Sequence, residues 1–511
     1  MSKENKRLFQ TILISGIATV FSYLINFLLT PYISNHVGIE AYGFVSIAKT
    51  AVSYAQIITV ALTTFIVRYI TLNYHKNKIE EANSYYSSSI LACFQLSGAL
   101  LIFALLCIFK LEDLLKIPEK LIPSVKALFI FVFINFVLTT IVTPLNASCF
   151  IKNRLDLNGI VKIISYIAES VVLVFVFRYC TADIWVVGFG SFIAAIVLVG
   201  GNYILKQKLT PELKFRKKLV SYKRVKEMMS NGVWQSVNSL GNTLNSGLDL
   251  LISNLMLTAV QTGQIAVVKT IGTMFSMLYQ VVSQPFQPRM LKMYSTGNKE
   301  QFFNELTKAM RICGYFSNVA FAGFVVLGWT YFKLWIPNED TNILYVLAIL
   351  TIISSVTEGV VQPLYYINTL TLKKKIPCLV TIGGGLLNVL FMYLLLKYTN
   401  LGIYSIVVTT AVIMTVINFV FTPMYAAYSI KLQPLGIYKV LIRHICSVII
   451  MVVIFKGITL IYMPHNWAGL ILEALIMALL GIIIHGVIML NKTEKDKAFK
   501  KLNQIAQKIM H

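Results

Sequence analysis

The sequence predicts an all-α polytopic membrane protein with fourteen transmembrane helices, arranged as two parallel-repeat six-helix lobes followed by two C-terminal helices. Three observations carry that reading. First, 57% of the 511 residues are hydrophobic and only 13% are charged, far too apolar for a soluble chain of this size. Second, fourteen stretches approach the roughly 20 apolar residues that a helix needs to cross hydrocarbon. They begin near residues 9, 42, 85, 124, 158, 183, 230, 263, 306, 342, 377, 402, 441 and 468. Third, the second half falls on the first when shifted by about 219 residues.

The first span follows Lys3, Lys6 and Arg7 and runs to Ile33 without a small-residue cleavage site, so it is expected to be retained. With both termini placed in the cytoplasm, inner segments hold 33 of the 45 Lys and Arg and outer segments hold 8. The positive-inside rule favours that orientation. The net charge of +24 is then a topological signal plus attraction to anionic membrane lipid, and nucleic-acid binding is not implied. Residues 1–205 form an N-lobe of six spans. Residues 206–229 read as a cytoplasmic basic linker, with nine Lys and Arg and Pro211 between Lys206 and Lys226, solvated beside the headgroups. Residues 230–428 form the C-lobe, 429–490 hold spans thirteen and fourteen, and 491–511 form a basic cytoplasmic tail. A weakly amphipathic run through Phe499, Leu502, Ile505 and Ile509 makes that tail a candidate surface helix.

Within the repeat, Asn26 and Ser34 fall on Asn245 and Ser253, and Pro144 on Pro363. Slips of one residue at loops bring Gly43 and Lys49 onto Gly263 and Lys269, and Arg68 onto Arg289. Six spans per copy means that both copies enter the membrane in the same direction. Parallel repeats of this kind are a transporter architecture, with the substrate site expected between the lobes. Prolines inside spans, Pro144 and Pro363 among them, bend their helices and suit either static curvature or opening and closing.

The seventh span places Asn231, Gln235, Asn238, Asn242, Asn245, Asp249 and Ser253 at steps of four and three, one stripe on one helix face. Amides and a carboxylate left unsatisfied in hydrocarbon are costly, so the stripe must face other helices or a watery cavity. Lys49 and Lys269 occupy equivalent places in spans two and eight, each heading a polar face that includes Gln56 in one copy and Gln280 in the other. Two cationic stripes make a site for an anion such as a phosphate. The candidate substrate-binding residues are Lys49, Lys269, Arg68, Arg289, Asn26, Asn242, Asn245, Gln56 and Gln280. Asp249, Glu358 and Glu169 are candidates for ion coupling, with H⁺ or Na⁺ as the ion. Asp249 is expected at the depth of Lys269, compatible with a structural or a switchable ion pair, whereas Thr30 stands opposite Lys49 in the first copy. The seven cysteines lack a CxxC spacing or nearby His, so neither a disulfide framework nor a metal site is indicated.

Three stretches carry a resemblance to a known family. They are Pro31-Tyr32-Ile33-Ser34 closing the first span, Val37-Gly38-Ile39-Glu40-Ala41-Tyr42-Gly43-Phe44 leading into the second, and Gln284-Pro285-Phe286-Gln287-Pro288-Arg289 before the Gly297-Asn298-Lys299 turn. The chain resembles the MOP flippases, and within them the polysaccharide or O-antigen flippases of the Wzx type, over nearly its whole length. The resemblance implies a MATE/MOP-like fold in a bacterial inner membrane. It further implies movement of undecaprenyl-pyrophosphate-linked oligosaccharide repeat units from the inner to the outer leaflet, alongside other polysaccharide-assembly membrane proteins. Similar lipid II flippases use cations on the second and eighth helices for the pyrophosphate, and Lys49 and Lys269 match those helices. They also form a lipid-tail groove from two extra C-terminal helices, which spans thirteen and fourteen match. The sequence departs from many relatives in having Lys in place of Arg and no Arg-Asp pair in span one.

Other classes fit less well. A multidrug exporter of the same superfamily is expected to have twelve spans and a carboxylate in span one. A membrane glycan polymerase or ligase would keep its chemistry in a large external loop, whereas the longest one here, Lys110 to Ser124, is short and holds only Glu112 and Asp113 near its start. An enzyme is therefore not expected, and since a Walker-type phosphate loop does not occur, ATP hydrolysis is not expected as the direct drive of a transporter that needs no cofactor.

Overall fold

The computed structural model describes residues 14, 21 and 23–489, except 180–182, 296, 297, 372 and 374. The start of the first span and the candidate surface helix of 491–511 lie outside the described residues. Within them the regular structure is helical throughout, without a strand. Helix α1 covers 23–36. It is followed by α2 (Ile39–His75), α3 (Ile79–Phe109), α4 (Ile122–Ile151), α5 (Leu155–Tyr179), α6 (Trp185–Leu209) and α7 (Tyr222–Ser246). Then come α8 (Ala259–Ser283), α9 (Lys299–Trp335), α10 (Thr341–Ile352, resuming as Ser355–Leu370) and α11 (Lys375–Tyr398). The series ends with α12 (Tyr404–Val416, continuing to Ile430), α13 (Leu435–Ile461) and α14 (Trp467–Met489). Twelve helices, α2–α6 and α8–α14, are long and apolar enough to cross a membrane. The other two expected spans correspond to α1 and to α7, whose polar stripe lowers its hydropathy.

Local chemistry explains the helix ends. Gly38 joins α1 to α2 at φ 115°, a backbone conformation that a side chain would strain. Asn77 and Asn153, which tolerate the left-handed region, follow α2 and α4 at φ 58° and 50°. Asp340 caps α10 by accepting the amides of Asn342 and Ile343.

The chain packs as two compact units, Met1–Val267 with Thr381–Val389, and Val268–Val380 with Leu390–His511. In the first, α2 is central and packs against α3, α4 and α7, with α6 against α4 and α5. Its core at one end gathers Leu62, Ile66, Ile70, Tyr86, Cys93 and Met228. Close contact along α2 depends on missing side chains. A methyl group on Gly232 would sit 1.8 Å from the Ala61 carbonyl oxygen, and one on Gly263 would sit 2.1 Å from that of Ile39.

In the second unit α9 is central, flanked by α10, α13 and α14. One core packs Met290, Leu306, Met310, Leu364 and Leu441; another, from α9, α13 and α14, packs Ala322, Val326, Met451, Phe455 and Met477. Large apolar side chains are instead exposed on the outer helices, among them Phe103, Leu106 and Phe109 of α3 and Leu479, Ile483 and Val487 of α14. On a membrane protein such a surface faces lipid. The stretch read as a solvated linker is largely ordered: Lys206 to Leu209 complete α6, α7 opens at Tyr222, and Leu213 between them is fully buried.

Candidate functional site

In the first unit the polar faces of α2 and α7 meet. Asn231 donates to the Tyr69 hydroxyl at 2.8 Å, Ser236 to the Ile57 carbonyl at 2.5 Å, and Tyr54 to the Gly247 carbonyl at 2.7 Å. The last bond explains how α7 can break: the helix stops at Ser246 and restarts at Asp249, and Tyr54 satisfies a carbonyl at the break. The stripe of α7 is not uniform. Asn231, Gln235 and Asn242 are exposed, whereas Asn245, Asp249 and Ser253 are buried.

Asn245 donates to the carbonyls of Gly241 and Thr381, and its own carbonyl accepts from Asn388 of α11. Its amide therefore ties helices together. Asp249 lies in the first turn after the break, within Coulombic reach of Tyr54. Lys49, Ser53 and Gln56 of α2 are exposed as well. Polar side chains open to solvent in the middle of spanning helices cannot face hydrocarbon, so this face borders a wet space.

Lys49 donates to the amide oxygen of Asn26 at 3.0 Å. The residue that meets it on α1 is therefore Asn26. Thr30 turns its hydroxyl to the Asn26 carbonyl of its own helix, at 2.7 Å. Glu169 of α5 accepts from Ser191 of α6 at 2.9 Å and lies within Coulombic reach of Lys49. Four helices thus bring one ammonium, one carboxylate and one amide into a single neighbourhood.

The second unit has its own polar face on α8, where Thr273 and Gln280 are exposed and Lys269 is half-buried, and Gln284 and Gln287, just beyond its end, are exposed as well. Behind it lies a cluster built on two helix irregularities. Helix α10 breaks at Ile353 and Ser354 and restarts with Glu358 in its first turn. Helix α12 widens into a π-turn over Ile417–Phe421, which places Asn418 fully buried. Tyr365 donates to Asn418 Oδ1 at 2.5 Å, while Asn418 Nδ2 has no hydrogen-bond partner among the described residues. Tyr279 and Tyr365 both lie within Coulombic reach of Glu358. Close packing holds the break in place, because a methyl on Gly359 would sit 2.2 Å from Ser317 Cβ and Ser317 itself donates to the Ser355 carbonyl at 2.6 Å.

Arg68 is exposed near the end of α2, where it lies over Phe65 and lines a groove with Thr64, Thr71 and His75. Arg289 stands on the short helix Phe286–Ser295 with Glu305 at 3.9 Å. Asn418, Tyr365 and Tyr279 are absent from the residues singled out by sequence. Asn418 sits in an apolar run with nothing to mark it except that it is a lone amide.

These features describe a multi-pass helical membrane protein in which each unit turns a polar face to water, with the fold of the MOP superfamily. The chain belongs to the polysaccharide biosynthesis protein family, whose family model matches residues 8–293, more than half of its length. It is similar to EpsK, a membrane protein of Bacillus subtilis (strain 168), with 26% identity over 490 residues, covering 95% of this chain and 96% of the relative. Its fold resembles that of the lipid II flippase MurJ in an inward closed conformation, at 13% identity and a TM-score of 0.65, covering 93% of this chain and 98% of that one. It also resembles an inward-facing multidrug resistance MATE family transporter of the MOP superfamily, at 14% identity and a TM-score of 0.56, covering 84% and 96%.

Proposed function

We propose that this protein is a flippase that moves polyprenyl-pyrophosphate-linked oligosaccharide units from the cytoplasmic to the outer leaflet by alternating access. The observation that carries the reading is Lys49: a cation on a solvent-open polar face, hydrogen-bonded to a neutral amide rather than to a carboxylate. Its charge is held in place for an anion, and Lys269 supplies the counterpart on the second unit. A glycan cannot cross hydrocarbon, but the amides and hydroxyls of α2, α7 and α8 can replace its water while the polyprenyl chain stays in lipid. Asn242, Gln56 and Gln280 are exposed on those helices, and Arg68 and Arg289 would add cations on α2 and on the short helix Phe286–Ser295. The family assignment to polysaccharide biosynthesis supports this substrate class, and the flippase likeness extends over more of the chain than the transporter likeness.

Glu358, Glu169 and Asp249 are the carboxylates through which H⁺ or Na⁺ would drive the cycle. Glu358 stands beside a helix break and makes no hydrogen bond through its side chain to the described residues, so it can exchange an ion without dismantling the packing.

The test is the sidedness of lipid-linked oligosaccharide in spheroplasts, probed with an impermeant glycan-binding reagent. Replacing Lys49 and Lys269 together with Gln is expected to strand the glycan on the inner face while the protein still inserts. Glu358→Gln is expected to remove the dependence of export on the ion gradient. Unchanged sidedness in the double variant overturns the anion site, and unchanged sidedness on depletion of the protein moves the exporter reading to first place.

A further inference from the structure

Near its start, α3 carries an anomaly: Asn83, Ser84, Tyr85, Tyr86, Ser87, Ser88 and Ser89 are consecutive and all are buried. Buried amides and hydroxyls need partners. Asn83 donates to the Glu212 carbonyl at 3.1 Å and accepts the Lys214 amide at 2.8 Å. Ser84 donates to the Leu219 carbonyl at 2.6 Å, Ser87 accepts the Arg216 amide at 2.9 Å, and Ser88 accepts the Ser221 amide at 2.9 Å. The backbone of 212–221, regular only in the short 3₁₀ turn Lys217–Leu219, therefore finds hydrogen bonds in side chains of α3, and Leu213 buried in the core pins it further.

The bonds immobilise a strap whose outward side chains are cationic. Lys214, Arg216, Lys217 and Lys218 are exposed, and so are the aromatic residues Phe215 and Tyr222. The nearby acids Glu212 and Glu227 accept hydrogen bonds from Tyr74 and Tyr85, and among the described residues neither forms an ion pair with a cation of the row. Beside it, Lys206 is 5% exposed, with its ammonium 5.6 Å from the centre of the Tyr86 ring. Among the described residues that ammonium has neither a hydrogen bond nor an ion pair, and Lys214 lies within Coulombic reach of it.

We infer that this strap is a preformed binding surface for the phosphate headgroups of anionic phospholipids, with Lys206 and Lys214 at its inner edge and Arg216, Lys217 and Lys218 along its rim. Exposed cations interleaved with aromatic rings suit the headgroup zone of a bilayer. A flexible basic loop would collect counterions with no fixed geometry, whereas a backbone bonded at five points offers its cations in one arrangement. The strap joins the ends of α6 and α7 and crosses the start of α3, so headgroups held there would brace three helices of the first unit.

The experiment uses the full chain in phosphatidylcholine nanodiscs containing traces of spin-labelled phosphatidylglycerol or phosphatidylcholine. The readout is the fraction of each label immobilised at the protein. The expected preference for the anionic label is at least about fivefold, the equivalent of one cation at a charged surface. It should fall toward parity when Lys206, Lys214, Arg216, Lys217 and Lys218 are all replaced by Gln. Ser87→Ala with Ser88→Ala keeps every charge but loosens the strap, and is expected to lose at least half of the preference.

A preference that survives charge removal overturns the site. Full preference in the serine variant overturns its preorganisation. Loss of the preference on adding inorganic phosphate at fixed ionic strength assigns the cations to a free anion and overturns the lipid. Lys214, Arg216, Lys217 and Lys218 are exposed, so changing these four without Lys206 gives a well-folded version of the charge test.

Discussion

Tyr365 and Asn418 illustrate how single residues hold the interior of the second unit. The phenol of Tyr365 donates at 2.5 Å to an amide that is fully buried, and both groups lie in a region with little water to replace a lost partner. Asn418→Ala is expected to destabilise the protein by about 1–3 kcal/mol, because it leaves a buried hydroxyl without an acceptor. Tyr365→Phe should do similar harm by orphaning the amide oxygen. The double variant should lose less than the sum of the two, with a coupling of at least about 0.5 kcal/mol. Thermal unfolding of the detergent-solubilised variants measures the cycle, and strict additivity would show that the bond contributes nothing. Lys49 answers to a different logic. Its bond to Asn26 fixes the direction of a charge on an open face, so its loss should affect export far more than stability.

Among helices, closeness is set by what is missing from glycine. Gly263 and Gly232 let backbone carbonyls approach to distances that no Cβ permits, and a buried contact of that kind resists enlargement. Gly263→Ala is expected to destabilise the first unit by about 1–3 kcal/mol. Gly457→Ala, where nothing lies within 4 Å of the added methyl, should leave the melting temperature unchanged or raise it. Equal melting temperatures for the two variants would contradict the packing described for α2. Irregular helices follow the same reasoning. The breaks at Gly247 and Ile353 and the π-turn at Ile417 all lie next to titratable or amide side chains, and freed backbone groups there are met by Tyr54 and Ser317.

Across the whole molecule, the two C-terminal helices are part of the second unit. His444 of α13 packs against Gly314 of α9 and accepts Asn318 through its ring at 2.9 Å, and its imidazole lies 5.3 Å from that of His485 on α14. Arg311 of α9 donates to the Met489 carbonyl at the end of α14. A chain stopped before Leu435 would leave Asn318 and Arg311 facing hydrocarbon and would strip Val326 and Leu327 of their cover. The truncated protein is therefore expected to aggregate on extraction, read as loss of a monodisperse elution peak. A stable truncated protein would mean that α13 and α14 are an accessory hairpin.

Much of this was legible in the sequence. The apolar stretches mark the spans because a bilayer offers no other solvent for backbone groups, so length and hydropathy alone determine that the chain is a helical membrane protein. The stripe on α7 and the paired lysines also announce themselves, since polar residues in apolar segments are costly and recur at helical spacing. Composition could not divide that stripe into an open half, from Asn231 to Asn242, and a buried half in which Asn245 binds the backbone of α11. Nor could it tell that Asn26 rather than Thr30 would meet Lys49, because one helical turn is beyond the precision of a repeat aligned with slips.

The charge of the basic linker is visible along the chain, but the order of its backbone is not, because the serines that hold it lie on a helix well over a hundred residues away. Sequence by itself determined which segments must leave water. Only the tertiary structure decided which polar groups find each other and which remain open, because that choice depends on contacts between segments far apart in the chain.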